Sequence, residues 1–497
     1  MTFKYGIDRL NLDIVNGIAD GSIKAELSQE AIEKINTSRQ RVEKMAASDE
    51  AVYGINTGFG PLCDTQITPE ETNLLQKNLL ITHAVGVGEP IAKAISKLML
   101  ITKVHALSQG YSGIRLETVE RMLAFIELDL IPVVPEQGSV GASGDLAPLS
   151  HLFLPLLGEG EFWQDGKIVP AAQALKENSL EPMDLHAKEG LALINGTQFI
   201  LSHAITGLTK MRYLLDLADL AGAMSIEGMQ GSESPFREEL HATRPFPGNV
   251  EVAARMRSFF KDSENMASHT DCDRVQDPYS LRCIPQVHGA SRNAYNHLKE
   301  LAETEMNSVT DNPIVISDEE AISGGSFHGQ PLAMVLDYAS IAAAELGNIS
   351  DRRCYLLLEG LHGLPRLLTT SGGLNSGMMI PQYATAALVT ENKSLCFPPS
   401  ADSVPTSMGQ EDHVSMGSIS GRKLNQILGN LEKIFAIELM YAAQAIDFRR
   451  PNKCSDIIEK NFDVIRAKVA KLVEDRLLKP DIDAIITLVK AQAFTVN

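Results

Sequence analysis

The sequence predicts an all-α fold: a bundle of long helices carrying minor β-hairpins. Three observations predict it. Apolar residues recur at three- and four-residue spacing along most of the chain. One such stretch, from Val414 to Phe448, contains no proline. Runs that read as strands are short and few.

From Thr68 the run T-P-E-E-T-N-L-L-Q-K-N-L-L opens on a capping residue, with Pro69 at the first helical position and Glu71 three residues on, the pattern of a capping box. This helix is expected to reach Ala84 or Val85 and to stop at Gly86, with His83 in its last turn. Periodic stretches follow at 91–109, 198–230, 286–308 and 331–359, punctuated by Gly110 and by the T-D-N-P turn at 310–313. Phe162-Trp-Gln, Asp165-Gly166 and Lys167-Ile-Val read as a hairpin, because Asp-Gly supplies the positive φ angles of a two-residue turn. Pro313-Ile-Val-Ile and the G-G-S-F-H-G segment at 324–329 read as a second. In 414–448, Leu424, Ile427, Leu428, Leu431, Ile434, Phe435 and Leu439 form one stripe. That helix spans roughly 50 Å, so its stripe is expected to pack on other long helices or other subunits. Pro451 ends it. No internal repeat or Ser/Gly-rich linker occurs, and the expected organisation is an amino-terminal region 1–197, a central long-helix bundle 198–450 and a carboxy-terminal helical region 451–497.

At 497 residues, 44% hydrophobic and 22% charged, the chain can bury a core, which excludes a collagen, a disordered tail and a small disulfide scaffold. Its net charge of −19 repels a phosphate backbone, so no nucleic-acid partner is expected. Cys63, Cys272, Cys283, Cys354, Cys396 and Cys454 form no C-x-x-C pair. That disfavours structural zinc and a disulfide framework and suits a reducing cytosol. The amino end lacks an apolar core, and no stretch approaches about 18 uninterrupted apolar residues, so neither a signal peptide nor a membrane partner is expected and the chain reads as cytoplasmic.

Common catalytic signatures fail. Gly86-Val-Gly88 is followed by Ile91 where a dinucleotide fingerprint needs its third glycine, and no phosphate-cradling loop occurs. Gly141-Ala-Ser-Gly has Asp145 where a nucleophile elbow needs glycine, and the histidines form no H-E-x-x-H. Neither nucleotide nor metal is expected. The informative stretch is Glu136-Gln-Gly-Ser-Val-Gly-Ala-Ser-Gly-Asp-Leu-Ala-Pro-Leu-Ser-His151, whose bland reading is a turn with Asp145 capping a helix. Other blocks accompany it in order along the chain. They are Y-G-I-N-T-G-F-G from Tyr53, T-H-A-V-G-V-G around His83, G-L-A-L-I-N-G-T-Q around Asn195, Q-D-P-Y-S-L-R-C from Gln276, G-S-F-H-G around Phe327 and Q-E-D-H-V-S-M around Glu411. Together these blocks resemble the aromatic amino-acid ammonia-lyase family.

The resemblance implies an architecture similar to that of fumarase and aspartase, and a homotetramer whose sites each draw on several subunits. It also implies a methylidene imidazolone (MIO) prosthetic group formed from Ala142-Ser143-Gly144. The residue types suit that chemistry. The nitrogen of Gly144 must bend back onto the carbonyl of Ala142, an approach that glycine permits. Loss of the Ser143 hydroxyl then leaves an electrophilic methylene. Within the family, Thr82-His83 and Glu411 resemble the members acting on histidine, which implies a carbon–nitrogen lyase turning L-histidine into trans-urocanate and ammonia. A tyrosine or phenylalanine ammonia-lyase or aminomutase is the alternative, and a catalytically inactive helical scaffold is the alternative of another class.

By the same resemblance Tyr53 is the base for the β-proton and Tyr279 assists proton movement. Arg282 clamps the substrate carboxylate with two parallel donors. Asn195 and Gln276 fix the imidazolone oxygen and the substrate amine, His83 and Glu411 hydrogen-bond the imidazole, and Phe327 lines the ring slot. Taken alone, His83 reads as a helix C-terminal cation, Glu411 as a surface or capping acid and Phe327 as core. The chain departs from the family at Met408-Gly409, where Ala-Asn is common, and at Ile284 and His288, where Gln and Met are usual.

Overall fold

The computed structural model describes residues 2–48, 50–60, 65, 67–270 and 275–496. Cys63 and Cys272 lie outside the described residues, while Cys283, Cys354, Cys396 and Cys454 are free thiols. Nineteen α-helices dominate the described residues, and the strands form only two- and three-stranded ribbons. The expected all-α class is the observed one.

Eight helices carry or flank the functional residues and the cores: α1 (Pro69–His83), α2 (Lys93–Leu107), α3 (Leu146–Phe153), α4 (Glu189–Ile194), α5 (Gln198–Met229), α6 (Ile284–Met306), α7 (Gln330–Leu358) and α8 (Gly417–Asp447). The periodic stretches thus become helices within a few residues of their expected ends. The start of α1 differs in detail. Thr68 makes no side-chain bond to the helix backbone, and its hydroxyl instead donates to Glu71 Oε2 at 3.0 Å. Its end differs too. The helix closes at His83, and Gly86 is not a left-handed cap. Gly86 serves close approach: its N–H donates to His151 Nε2 at 3.0 Å, and a Cβ there would lie 3.2 Å from the His151 ring and from Pro135.

The Asp165-Gly166 turn has φ values of 49° and 75°, as a two-residue hairpin requires, and joins strands Glu161–Gln164 and Lys167–Pro170. The second expected hairpin has a different partner. Ile314–Val315 pairs with Ala321–Ile322, and 324–329 is a loop.

The described residues divide into two compact units, each discontinuous in sequence. The first comprises 1–206, 298–336 and 398–422, and the second 207–297, 337–397 and 423–497. The consecutive regions 1–197, 198–450 and 451–497 cut the chain differently. In the first unit, α2 lies between helices Leu12–Asp20 and Leu116–Glu127 and is buried along most of its length. In the second unit, α5 and α8 touch where side chains are small. A Cβ on Gly207 would meet Leu424 at 3.0 Å, and one on Gly228 would meet Ala445 at 2.6 Å. Both pairs share one sequence offset, so the two helices run parallel there. Two clusters of buried charge in this unit are paired: Arg353 with Glu438, and Asp219 with Arg255, Arg292 and His288. His288 and Ile284, two of the departures from the family pattern, are fully buried here.

By length and mean hydropathy α7 could cross a membrane, a test that counting uninterrupted apolar runs does not apply. Of the qualifying window, 72% is buried inside the protein, as in a core helix.

Candidate active site

The first unit encloses a cavity of about 850 Å³. Of the residues singled out from sequence, Tyr53, His83, Ala142, Ser143, Asn195, Phe327 and Glu411 line it. Gly144, next in the chain to Ser143, is not among the lining residues.

The 142–144 segment is held in a shape that its residue types explain. Ser143 has φ +51° and Gly144 φ +84°, a region that side chains disfavour and glycine tolerates. A Cβ on Gly144 would stand 2.1 Å from the Gly196 carbonyl oxygen. That space is needed because two loops bridge there. Asp145 N–H donates to Gly196 O at 2.8 Å, and Gly196 N–H points at Ser143 O at 3.4 Å. Gly196 was not singled out from sequence, although it follows Asn195 within the same block.

Asp145 does not cap its own helix α3. Its carboxylate accepts from the backbone N–H groups of Phe199 and Ile200, both at 3.0 Å, and so caps α5. Burial pushes it up to about 7, against those N–H groups and the Ser139 hydroxyl.

On the facing wall, Ser143 Oγ donates to Glu411 Oε1 at 3.0 Å. Glu411 Oε2 accepts from the hydroxyls of Thr406 at 2.9 Å and Ser407 at 2.7 Å. Backbone bonds between Thr406 and Glu411 close this turn, and Ser407, Met408 and Gly409 all have positive φ within it. Met408-Gly409 therefore form the tip of the loop that holds Glu411, and the Met408 side chain is exposed.

His83 ends α1 with Nδ1 3.2 Å from Thr82 Oγ1. The Thr82 hydroxyl donates to Asn78 O at 2.8 Å, so its oxygen accepts from His83 Nδ1–H and Nε2 is left as an acceptor. Burial lowers the pKa of His83 and so favours a neutral ring, opposed by a hydrogen bond to the Leu79 backbone and by the nearby charge of Glu411. Asn195, at the end of α4, is buried and its Nδ2 donates to Asn312 O at 2.7 Å. Tyr53 sits half-buried in a turn beside Gly54, and Phe327 half-buried in the 324–329 loop.

His328 and His413 also line the cavity, with ring centroids 5.4 Å apart and His413 Nδ1 3.3 Å from His328 Nε2. Both lie inside blocks noted from sequence, yet neither was singled out. Behind the wall, Lys103 of α2 is buried and donates to the Asn195 carbonyl oxygen, and Lys188 pairs with Asp311 at 2.7 Å. A lysine among Leu98, Met99, Ile101 and Val104 was the available signal, since lysine is seldom fully buried. Among the described residues, no group of three His, Cys, Asp or Glu side chains is arranged to hold a metal.

Gln276, Tyr279 and Arg282 do not line this cavity. They belong to the second unit, where Gln276 and Arg282 line a cavity of about 1020 Å³ and the Arg282 guanidinium lies 4.5 Å from the centre of the Tyr279 ring. Tyr279 is 70% exposed.

A family model for aromatic amino acid lyases matches residues 10–467. The histidine ammonia-lyase of Myxococcus xanthus is 46% identical over 484 residues, covering 97% of this chain and 95% of its own. The crystal structure of histidine ammonia-lyase from Trypanosoma cruzi is similar with a TM-score of 0.90 at 41% identity, over 99% of this chain and 94% of the other. A tyrosine aminomutase from Streptomyces globisporus is similar with a TM-score of 0.93 at 33% identity, over 99% and 98% of the two chains. The matched family model and these near full-length likenesses lead to one conclusion: the chain belongs to the aromatic amino acid lyase family.

Proposed function

We propose that this chain is a carbon–nitrogen lyase that eliminates ammonia from L-histidine to give trans-urocanate, using an electrophile made from its own Ala142-Ser143-Gly144. The observation that carries the reading is the setting of Ser143. It lies in a left-handed loop between the Gly196 N–H and the Glu411 carboxylate, on a cavity lined also by Tyr53, His83, Asn195 and Phe327. The identities of 46% and 41% to histidine ammonia-lyases, against 33% to the aminomutase, support histidine as substrate.

The segment fits an imidazolone. Gly144 has space only for a hydrogen, and Ser143 presents its hydroxyl to the cavity. Once formed, the group supplies an electrophilic methylene that no ordinary side chain offers, and elimination needs such an electrophile because ammonium is a poor leaving group. The chain's residues do the rest. Tyr53 takes the β-proton. Neutral His83 and the carboxylate of Glu411 meet the imidazole nitrogens, and a site built for a polar ring rejects an apolar one because its own groups would be left unpaired. Phe327 lines the ring slot, and Asn195 orients the substrate amine. Arg282 binds the substrate carboxylate, Tyr279 assists proton movement and Gln276 helps Asn195 fix the imidazolone oxygen and the substrate amine, at a site completed by another subunit of a homotetramer. That Gln276 and Arg282 line a second cavity and are not among the lining residues of the 850 Å³ cavity supports that sharing.

The test has two arms. Urocanate release from histidine is measured with tyrosine and phenylalanine in parallel, and the peptide carrying 142–144 is weighed. The expected results are preference for histidine and a mass short by two waters. Ser143→Ala, which has no hydroxyl to eliminate, should keep fold and assembly and lose nearly all activity; full activity in that variant overturns the reading.

A further inference from the structure

Lys103 is 2% exposed, on a helix whose buried residues are mostly apolar, yet its ammonium is bonded to a main-chain carbonyl where a buried lysine ordinarily meets a carboxylate. Asp311, the carboxylate whose charge acts most on Lys103, is already paired with Lys188 at 2.7 Å. The carbonyl that Lys103 holds is that of Asn195. The same peptide unit carries the Gly196 N–H, which points at Ser143 O at 3.4 Å. Lys103, one peptide group and the Ser143 carbonyl thus form a line of donors and acceptors ending on the segment that cyclises.

Two steps of that cyclisation put negative charge on Ser143 O. In the first, the Gly144 nitrogen bonds to the Ala142 carbonyl carbon. The Ala142 oxygen departs as water with the amide protons of Gly144 and Ser143, leaving a carbon–nitrogen double bond between Ala142 and Ser143. While the Gly144 amide loses its proton, its charge is shared with Ser143 O by amide conjugation. In the second, the Ser143 α-proton and the Oγ hydroxyl leave as water, and a double bond forms between Cα and Cβ. Loss of the α-proton again places charge on Ser143 O, as an enolate. No oxidant or other co-reactant is consumed, and the two waters account for every atom lost.

We propose that Lys103 is a positioning residue for this self-processing: its ammonium fixes and polarises the Asn195–Gly196 peptide, so that the Gly196 N–H stabilises the charge developing on Ser143 O. The inference rests on the imidazolone reading above. Hydrogen bonds in a chain strengthen one another where the surroundings are apolar, and a fixed donor aimed at developing charge needs no reorganisation. Burial draws the lysine down to about 7, with Asp311 opposing, Lys188 adding to the fall and Asp145 opposing.

The test follows maturation instead of turnover. Wild-type chain and the variants Lys103→Met, Lys103→Gln and Lys103→Arg are made by cell-free translation, and the mass of the 142–144 peptide is followed with time beside circular dichroism and sedimentation. Loss of two waters is expected to slow about tenfold or more in the folded Met and Gln variants, and Arg, which keeps the charge, should recover most of the rate. An unchanged time course in a folded Met or Gln variant overturns the role of Lys103 while leaving the imidazolone reading intact. A wild-type chain that never loses water overturns both. If the Met and Gln variants fail to fold while Arg folds, Lys103 serves the fold alone and the proposal is overturned.

Discussion

At the scale of single residues, the proposed recognition and processing roles meet at Glu411, whose two oxygens hold Ser143 on one side and two loop hydroxyls on the other. Glu411→Gln keeps the shape and removes the charge. Losing a hydrogen bond to a charged group costs about 1.5 to 3 kcal/mol, so activity on histidine should fall roughly ten- to hundredfold. His83→Leu removes the Nε2 acceptor and should lower activity on histidine while leaving the imidazolone in place and raising the share of activity on phenylalanine. The ratio of kcat/KM for histidine and phenylalanine, read beside the two-water mass loss, checks both; if each variant keeps the native ratio, the ring-recognition roles are wrong. Asp145 gives a pH-dependent expectation. Its folded value of about 7 is raised above that of a free aspartate, near 3.9, so the stability it contributes is complete below about pH 4 and is lost as pH rises through 7. Asp145→Asn is neutral throughout. The Tm of the native protein minus that of the variant should therefore decrease from pH 4 to pH 7, and a flat or rising difference contradicts the raised value.

At the scale of elements, what was legible depended on how local the cause is. The Asp165-Gly166 hairpin was readable because two residues dictate its turn. Gly86 misled, because glycine both ends helices and admits close neighbours, and here His151 and Pro135 decide which. Asp145 misled similarly: a cap was expected and a cap is present, but it serves α5, more than fifty residues on, at Phe199 and Ile200. The contact between α5 and α8 yields a further expectation. Gly228→Val inserts methyl groups where a Cβ alone would stand 2.6 Å from Ala445. Overpacking of that kind costs about 1 to 3 kcal/mol, so the Tm should drop by several degrees, and an unchanged Tm means the helices separate freely at this point.

At the scale of the whole molecule, α7 exposes Met334, Tyr338 and Ile341 at i, i+4 and i+7, a stripe suited to covering by another helix. Together with the absence of Gln276, Tyr279 and Arg282 from the lining of the cavity at Ser143, it motivates the proposed shared-site homotetramer. Mixing inactive Tyr53→Phe and Arg282→Ala chains should restore part of the activity, because some sites in a mixed tetramer then receive both native residues. A fully active monomer by sedimentation contradicts this.

The sequence by itself determined the class, the long helices and the residue types at the cavity, because helical periodicity and a fixed block of neighbours are written within a few residues of one another. Only the tertiary structure decided which of them meet. Ser143 and Glu411 are 268 residues apart, and Lys103 and Asn195 are 92 apart. Contacts at such separations leave no period in either segment. For the same reason Gly196, Lys103, His328 and His413 went unnoticed. Apart from Lys103, whose apolar neighbours are a local signal, each is an ordinary residue in its own stretch, and its contacts arise from what packing brings to within reach of it.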